Sequence, residues 1–415
     1  MKFFSYQDGA LCAENVPLAD IAKQYGTPAF VYSRAAIERG YRDFAAACSG
    51  RDALICYSVK ANSNLAVLNL LARLGSGFDI VSGGELARVL AAGGRADRTV
   101  FSGVGKSEAE LRAGLEAGVL CFNVESEGEL ERLAETASAM RKTASVSLRV
   151  NPDVDPKTHP YIATGLRESK FGIPCDAAMP LYRKAARLPG IRVMGIDVHI
   201  GSQITETGPF LAALDKVLEF VDALDAAGVR LGHLDLGGGL GIRYRDENPP
   251  APGEYLGSLF ARIGDRRIRV LLEPGRSLVG NTGLLLTRVE YLKHGAAKSF
   301  VVVDAAMNDL IRPALYDAWH DVLPVVVPRG GTSRRYDIVG PVCESADFLA
   351  RDRELLVAPG DLLAIMSAGA YGMVMSSNYN SRPRPAEIMV DGARPWLVRE
   401  RERTESLFAS ERLLP

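Results

Sequence analysis

Short β-branched runs alternate along most of the chain with segments whose apolar residues recur near the helical period. The runs are "ALICYSV" (53–59), "FDIV" (78–81), "TVFSG" (99–103), "LCFNV" (120–124), "SVSLRV" (145–150), "VMGIDVHI" (193–200), "LGHLDLG" (231–237) and "IRVLLEP" (268–274). Between them lie helical patterns such as "NLAVLNLLARLG", "ELARVLAAGG", "AELRAGLEAG", "ELERLAETASAM" and "FLAALDKVLEFVDALDAAG". Three of these helices open on Ser-x-x-Glu, Ser82 to Glu85, Ser107 to Glu110 and Ser126 to Glu129, the pattern of a capping box. Several close on glycine, at Gly75, Gly93, Gly118 and Gly228. Eight such units in series predict a (β/α)8 barrel over roughly 30–280. Periodicity leaves an open doubly wound sheet as the structural rival.

Beyond about residue 284 the pattern changes to strand-like runs, "LLLTRVEYL", "SFVVVDA", "RYDIVGPVC", "DLLAIMSA" and "AEIMVDG", separated by Gly, Pro, Asn and Asp turn signals. The expected division is therefore an α/β barrel over 28–280 and an all-β domain over 281–415, joined by residues 1–27. A chain of 415 residues exceeds what one ordinary core fills, in keeping with two domains.

Composition narrows the function. Hydrophobic residues at 47% and charged residues at 24% are those of an ordinary globular protein. A net charge of −1 offers no basic face for nucleic acid, which points to a small-molecule partner. The N-terminal stretch lacks an apolar signal core, and no apolar window is long enough to span a bilayer, so a cytoplasmic location without membrane attachment is expected. The six cysteines contain no C-x-x-C pair, which argues against a disulfide framework or structural zinc.

In such a barrel the chemistry gathers at the C-terminal strand ends. Lys60 ends the first run, Asp79 lies in the second, Arg149 near the end of the fifth, His199 near the end of the sixth, and Glu273 ends the eighth. A lone lysine at a strand tip reads as an exit to solvent. A partly desolvated one can instead act as an amine nucleophile. The glycines of "DLGGGLG" (235–241), Gly238 and Gly239 among them, follow the seventh run, where barrels commonly hold phosphate. Gly275 and Arg276 of "LLEPGR" add a second anion-friendly turn. The dinucleotide pattern G-x-G-x-x-G is absent from the first strand-to-helix turn. His199, followed by Gly201 and Ser202, suits a planar ligand; His233 reads as structural, and His159, His294 and His320 show no metal-ligand spacing, so no metal is expected.

Lysine, anion grip, imidazole and carboxylate in one barrel mouth suggest pyridoxal phosphate. Lys60 would bond the cofactor, the glycine turns would hold its phosphate, His199 would stack on the ring, and Glu273 would keep the pyridine nitrogen protonated.

Taken together, "YSVKAN", "HIGSQ", "GGGLG", "LEPGR", "CESAD" and "AGAYG" resemble the barrel-type, group IV pyridoxal-phosphate-dependent decarboxylases, and within them the branch acting on diaminopimelate. The resemblance runs from about residue 5 to 390. It implies a homodimer with active sites at the interface, and decarboxylation of meso-diaminopimelate to L-lysine. Alanine racemases share the architecture but place an arginine where this chain has Glu273. In "NDLIRPALYDAWH" (308–320), the resemblance implies that Arg312 and Tyr316 join Arg276 in holding the distal carboxylate. It implies further that Glu344 pairs with the distal amino group, that Cys343 reaches the partner's site as a candidate for the proton step, and that Tyr371 touches phosphate or substrate. Ser58 stands where the family often has alanine. The rivals are a related decarboxylase for carboxynorspermidine, ornithine or arginine, and a pyridoxal-phosphate-binding homologue without turnover.

Overall fold

The computed structural model describes residues 3–156, 158–159, 162, 164–165 and 168–415, in two compact units. One comprises 40–242 and 248–278; the other comprises 1–39, 243–247 and 279–415.

The first unit is a barrel. Its strands are β1 (Ala53–Ser58), β2 (Gly77–Ile80), β3 (Thr99–Phe101), β4 (Cys121–Val124), β5 (Ala144–Asn151), β6 (Ile191–Asp197), β7 (His233–Asp235) and β8 (Arg269–Leu272). Helices follow in turn: α1 (Leu65–Arg73), α2 (Gly83–Ala91), α3 (Glu108–Ala117), α4 (Glu127–Ala139), α5 (Cys175–Ala185), α6 (Gly208–Ala226) and α7 (Pro252–Ile263). Each strand pairs in parallel with the next, and β8 returns to β1 with Val270 opposite Ala53. That last pairing closes the ring and excludes the open sheet.

Three of the strands that lead to the site stop before their sequence runs do. β1 stops at Ser58, β6 at Asp197 and β8 at Leu272, so Lys60, His199 and Glu273 lie just beyond the strands. Lys60 sits within a single 3-10 turn, Val59–Ala61. Backbone that has left the ladder can aim a side chain across the barrel mouth, which a strand residue alternating in and out cannot do.

All three capping serines accept the N–H of the glutamate three residues on. Only Ser107 and Glu110 complete the reciprocal box. Glu85 instead accepts the N–H of Val81 at 2.7 Å, and Glu129 that of Glu125 at 2.9 Å, each reaching one residue further back. α3 ends on Gly118, whose φ of 72° is the left-handed cap that glycine adopts without steric cost.

Inside the barrel, His233 is buried and its Nε2 meets Ser147 Oγ at 2.6 Å. A Cβ at Gly195 would stand 2.3 Å from that imidazole, which explains the missing side chain in β6. His233 is thus a satisfied interior residue.

The second unit is built on an extended sheet in the order Phe348–Leu355, Arg334–Val339, Ser299–Val303, Gly283–His294, Ala29–Ser33, Ala386–Asp391, Arg394–Arg399. Its core joins Leu11, Leu18 and Ile21 from the N-terminal segment to Leu284, Leu286 and Ile388. Burial of each such side chain contributes about 1.5–3 kcal/mol, which ties the two ends of the chain into one unit.

Candidate active site

Parallel register places Ser58 beside Asp79 across β1 and β2. Asp79 is fully buried, and its Oδ2 accepts hydrogen bonds from Ser58 Oγ at 2.6 Å and Lys60 Nζ at 2.7 Å. The lysine side chain remains 35% exposed, yet its amine is anchored to the buried Asp79 carboxylate.

On the other side of β1, following β8 and the strands beside it, lies a group of buried acids. Asp197 ends β6, Asp235 ends β7 and Glu273 follows β8; their carboxyl oxygens come within 4.8 Å of one another. Burial is the largest influence on each and pushes all three upward, Asp235 to about 6; the charge of Asp79 adds to it at all three, and that of Asp235 adds to it at Asp197 and Glu273. Among the described residues, Glu273 Oε1 has no hydrogen-bond partner.

The glycine turns leave no room for side chains. A Cβ on Gly238 would fall 2.1 Å from the Glu273 carbonyl oxygen, and one on Gly239, at φ +106°, 2.5 Å from that of Gly201. Gly275 packs against Ser58 and Ala61, where a Cβ would meet theirs at 3.0 and 3.1 Å. Arg276 is buried, and its Nη2 donates to Ser202 Oγ at 3.1 Å.

The backbone N–H of Gly238 donates to His199 Nδ1 at 3.1 Å. Nδ1 is therefore the bare nitrogen, and the ring's proton, when neutral, sits on Nε2. Burial, then the charges of Arg149 and Lys60, hold this imidazole well below its ordinary value, so it is uncharged at neutral pH. Arg149 completes the group: its Nη1 bonds Glu125 at 3.0 Å and its Nη2 donates to the His199 carbonyl at 3.4 Å.

Lys60, Asp79, Arg149, His199, Ser202, Gly238, Gly239, Glu273, Gly275 and Arg276 thus all belong to the barrel unit, on strand ends or on the turns that follow them. Arg312, Tyr316, Cys343, Glu344 and Tyr371 belong to the other. Arg312 opens the helix Arg312–Tyr316, is buried, and donates from Nη1 to His320 Nε2 at 2.9 Å. His320 Nδ1 donates in turn to the Met366 carbonyl at 2.7 Å, which fixes Nε2 as the acceptor. Cys343 and Glu344 are exposed, and Tyr371 adopts a φ of +56°. Asp197, Asp235 and His320 escape sequence reasoning as partners of site residues. Only the place of Asp235 beside the glycine run and of His320 at the close of "NDLIRPALYDAWH" hints at them.

A half-exposed amine held by a buried carboxylate, glycine turns that exclude side chains beside a buried arginine, and a buried carboxyl oxygen without a partner together fit pyridoxal phosphate. The comparisons agree with this geometry. Residues 34–280 match the model of the pyridoxal-dependent decarboxylase pyridoxal-binding domain. The chain belongs to the pyridoxal-dependent decarboxylase family. It is 59% identical, with all of each chain covered, to the diaminopimelate decarboxylase of Pseudomonas aeruginosa. Identity to that of Vibrio cholerae is 58%, again over the whole of both chains. The structure superposes with a TM-score of 0.92 on the diaminopimelate decarboxylase of Helicobacter pylori complexed with L-lysine, at 39% identity, covering 95% of this chain and 99% of that one. As a pyridoxal-dependent decarboxylase, the protein is an enzyme whose cofactor belongs in the barrel unit that the family model spans. No helix among the described residues is long and apolar enough to cross a membrane.

Proposed function

We propose that the protein removes carbon dioxide from the D-configured carbon of meso-2,6-diaminopimelate to give L-lysine, the last step of lysine biosynthesis. The observation that carries this reading is Glu273: a buried carboxyl with an unpartnered oxygen, at the position where a racemase of this architecture would carry an arginine. Relatives of full length, named for this activity, support it.

When bound, pyridoxal phosphate supplies an aldehyde that bonds amines and a ring that draws electrons from the substrate's α-carbon. Lys60 Nζ is the amine that carries it, steadied by Asp79 Oδ2. Glu273 holds a proton at the ring nitrogen, which makes the ring a strong electron sink. His199, neutral and with Nδ1 occupied by the Gly238 amide, offers its face to the ring without adding charge. Gly238, Gly239, Gly275 and Ser202 bind the phosphate end, and Tyr371 touches the phosphate or the substrate. Arg276, Arg312 and Tyr316 hold the distal carboxylate, a partner for guanidinium that ornithine does not offer. Glu344 takes the distal ammonium. Cys343, in the partner subunit's site of a homodimer, is the candidate that would supply the proton taking the place of carbon dioxide. The setting is the cytoplasm.

The test is carbon dioxide release from the pyridoxal-phosphate-loaded protein given, separately, meso-diaminopimelate, L-ornithine, L-arginine and carboxynorspermidine. Release from meso-diaminopimelate alone, with lysine as product, supports the assignment. Release from another substrate overturns the pocket but keeps the cofactor chemistry, and no release from any of them overturns the activity.

A further inference from the structure

The acids behind Glu273 are too many for the cations beside them. Asp79, Asp197, Asp235 and Glu273 are all buried, and the charges of Lys60 and Arg149 are what oppose theirs. Lys60, following β1, is committed to Asp79 on β2, at 2.7 Å. Arg149 on β5 is committed to Glu125, at 3.0 Å, with its Nε 3.8 Å from Asp197 on β6. Glu273 is left with no cation of its own within ion-pair distance among the described residues. Buried carboxyls in that position retain a proton rather than a charge.

Asp235 is the member built to keep its charge. Its Oδ1 accepts the Gly237 N–H at 3.0 Å and its Oδ2 accepts from Asn123 Nδ2 at 3.4 Å. Asn123 is aimed from β4 by a second bond, to Ser102 Oγ at 3.1 Å. Glu273 Oε1 has no comparable donor among the described residues. Charge therefore settles on Asp235 and the proton on Glu273. The directions agree, since Asp235 is raised only to about 6, while Glu273 is pushed well above its ordinary value by burial first and by Asp235 next.

We propose that Asp235 is a positioning residue that acts through Glu273: its buried charge keeps a proton on the Glu273 carboxyl before the cofactor arrives and holds a single proton between Glu273 and the ring nitrogen afterwards. This rests on the reading that Glu273 faces that nitrogen. The balance is simple. If the incoming ring nitrogen is bare, the Glu273 O–H bond breaks and an N–H bond forms. If it arrives protonated, one of the two protons leaves to solvent.

The experiment loads the full chain with pyridoxal phosphate in two buffers of different ionisation enthalpy, and records the infrared difference spectrum of loading. The wild-type protein is expected to show the C=O band of a protonated carboxyl before loading and to lose it afterwards. Asp235→Asn should lack the band, and should release up to about one proton fewer on loading, because Glu273 is then already ionised. The high-pH limb of kcat should also move to lower pH in this variant. Asp235→Ser reads the same quantities if the asparagine variant does not fold. A band that persists in Glu273→Gln overturns both the inference and the reading of Glu273. A band lost in Glu273→Gln but kept in Asp235→Asn, with an unchanged proton count, overturns the role of Asp235 alone.

Discussion

Lys60 Nζ stands 2.7 Å from Asp79 Oδ2, and the pair joins a residue 35% exposed to one fully buried. The carboxylate is delivered by strand register, since Asp79 lies directly opposite Ser58. A one-residue slip of β2 against β1 would turn Asp79 to the other face and leave the amine without it.

Lys60→Ala removes the covalent link to the cofactor. After borohydride reduction, mass spectrometry of the wild-type protein should find the cofactor on the peptide containing residue 60, and the variant should carry none. Its kcat should fall by at least on the order of 100-fold. A variant that still fixes the cofactor to a peptide would move the assignment to another lysine.

Gly238→Ala forces a methyl group to within 2.1 Å of the Glu273 carbonyl oxygen, so the turn must open. Overpacking of this kind costs about 1–3 kcal/mol, which should appear as a cofactor Kd weakened by about 5- to 150-fold in an absorbance titration. Gly253→Ala is the control: it lies in α7 with open space where the methyl group would go, and should leave the Kd unchanged.

Much of this was legible beforehand, because a barrel that repeats strand and helix announces itself through two alternating periods. The glycine run and the strand-end acid followed from position alone. The partners were harder. Asp197 and Asp235 sit in strand runs and look like ordinary alternation, and only the parallel pairing of β6, β7 and β8 brings them to Glu273. His320 serves Arg312 through one nitrogen while the other is held by Met366, a carbonyl distant in sequence. The strand Ala29–Ser33 is buried at every position and so shows no polar alternation, and it pairs with Gly283–His294, far along the chain. Such pairings are set by tertiary contacts, which a local pattern does not contain.

Arg312→Lys keeps the charge but loses the planar fork. KM for meso-diaminopimelate should rise on the order of 100-fold, with the spectrum of the bound cofactor unchanged. Equal loss in kcat with KM untouched would show that Arg312 does not hold the substrate in its ground state.

Glu85 is raised from 4.5 to about 7, chiefly by burial. A carboxyl whose value is higher in the folded state binds its proton more tightly there, so its contribution to stability is fully present below about 4.5 and is lost as pH rises through about 7. Glu85→Gln keeps an acceptor for the Val81 N–H and cannot ionise. The Tm difference, variant minus wild type, should therefore grow more positive from acid to neutral pH; a difference that stays flat would mean that Glu85 does not titrate in this range.

The ring closes where β8 meets β1, and the amine and acid of the site are more than 200 residues apart in the chain. Contact order this high places completion of the cofactor cradle at the end of folding. During synthesis Lys60 and Asp79 can meet early within one β-α-β segment, yet Glu273 is missing beside them until β8 emerges and docks on β1. Pyridoxal phosphate consequently stabilises only chains that have finished the circle, by RT ln(1 + [L]/Kd), and its binding sorts complete barrels from partly assembled ones.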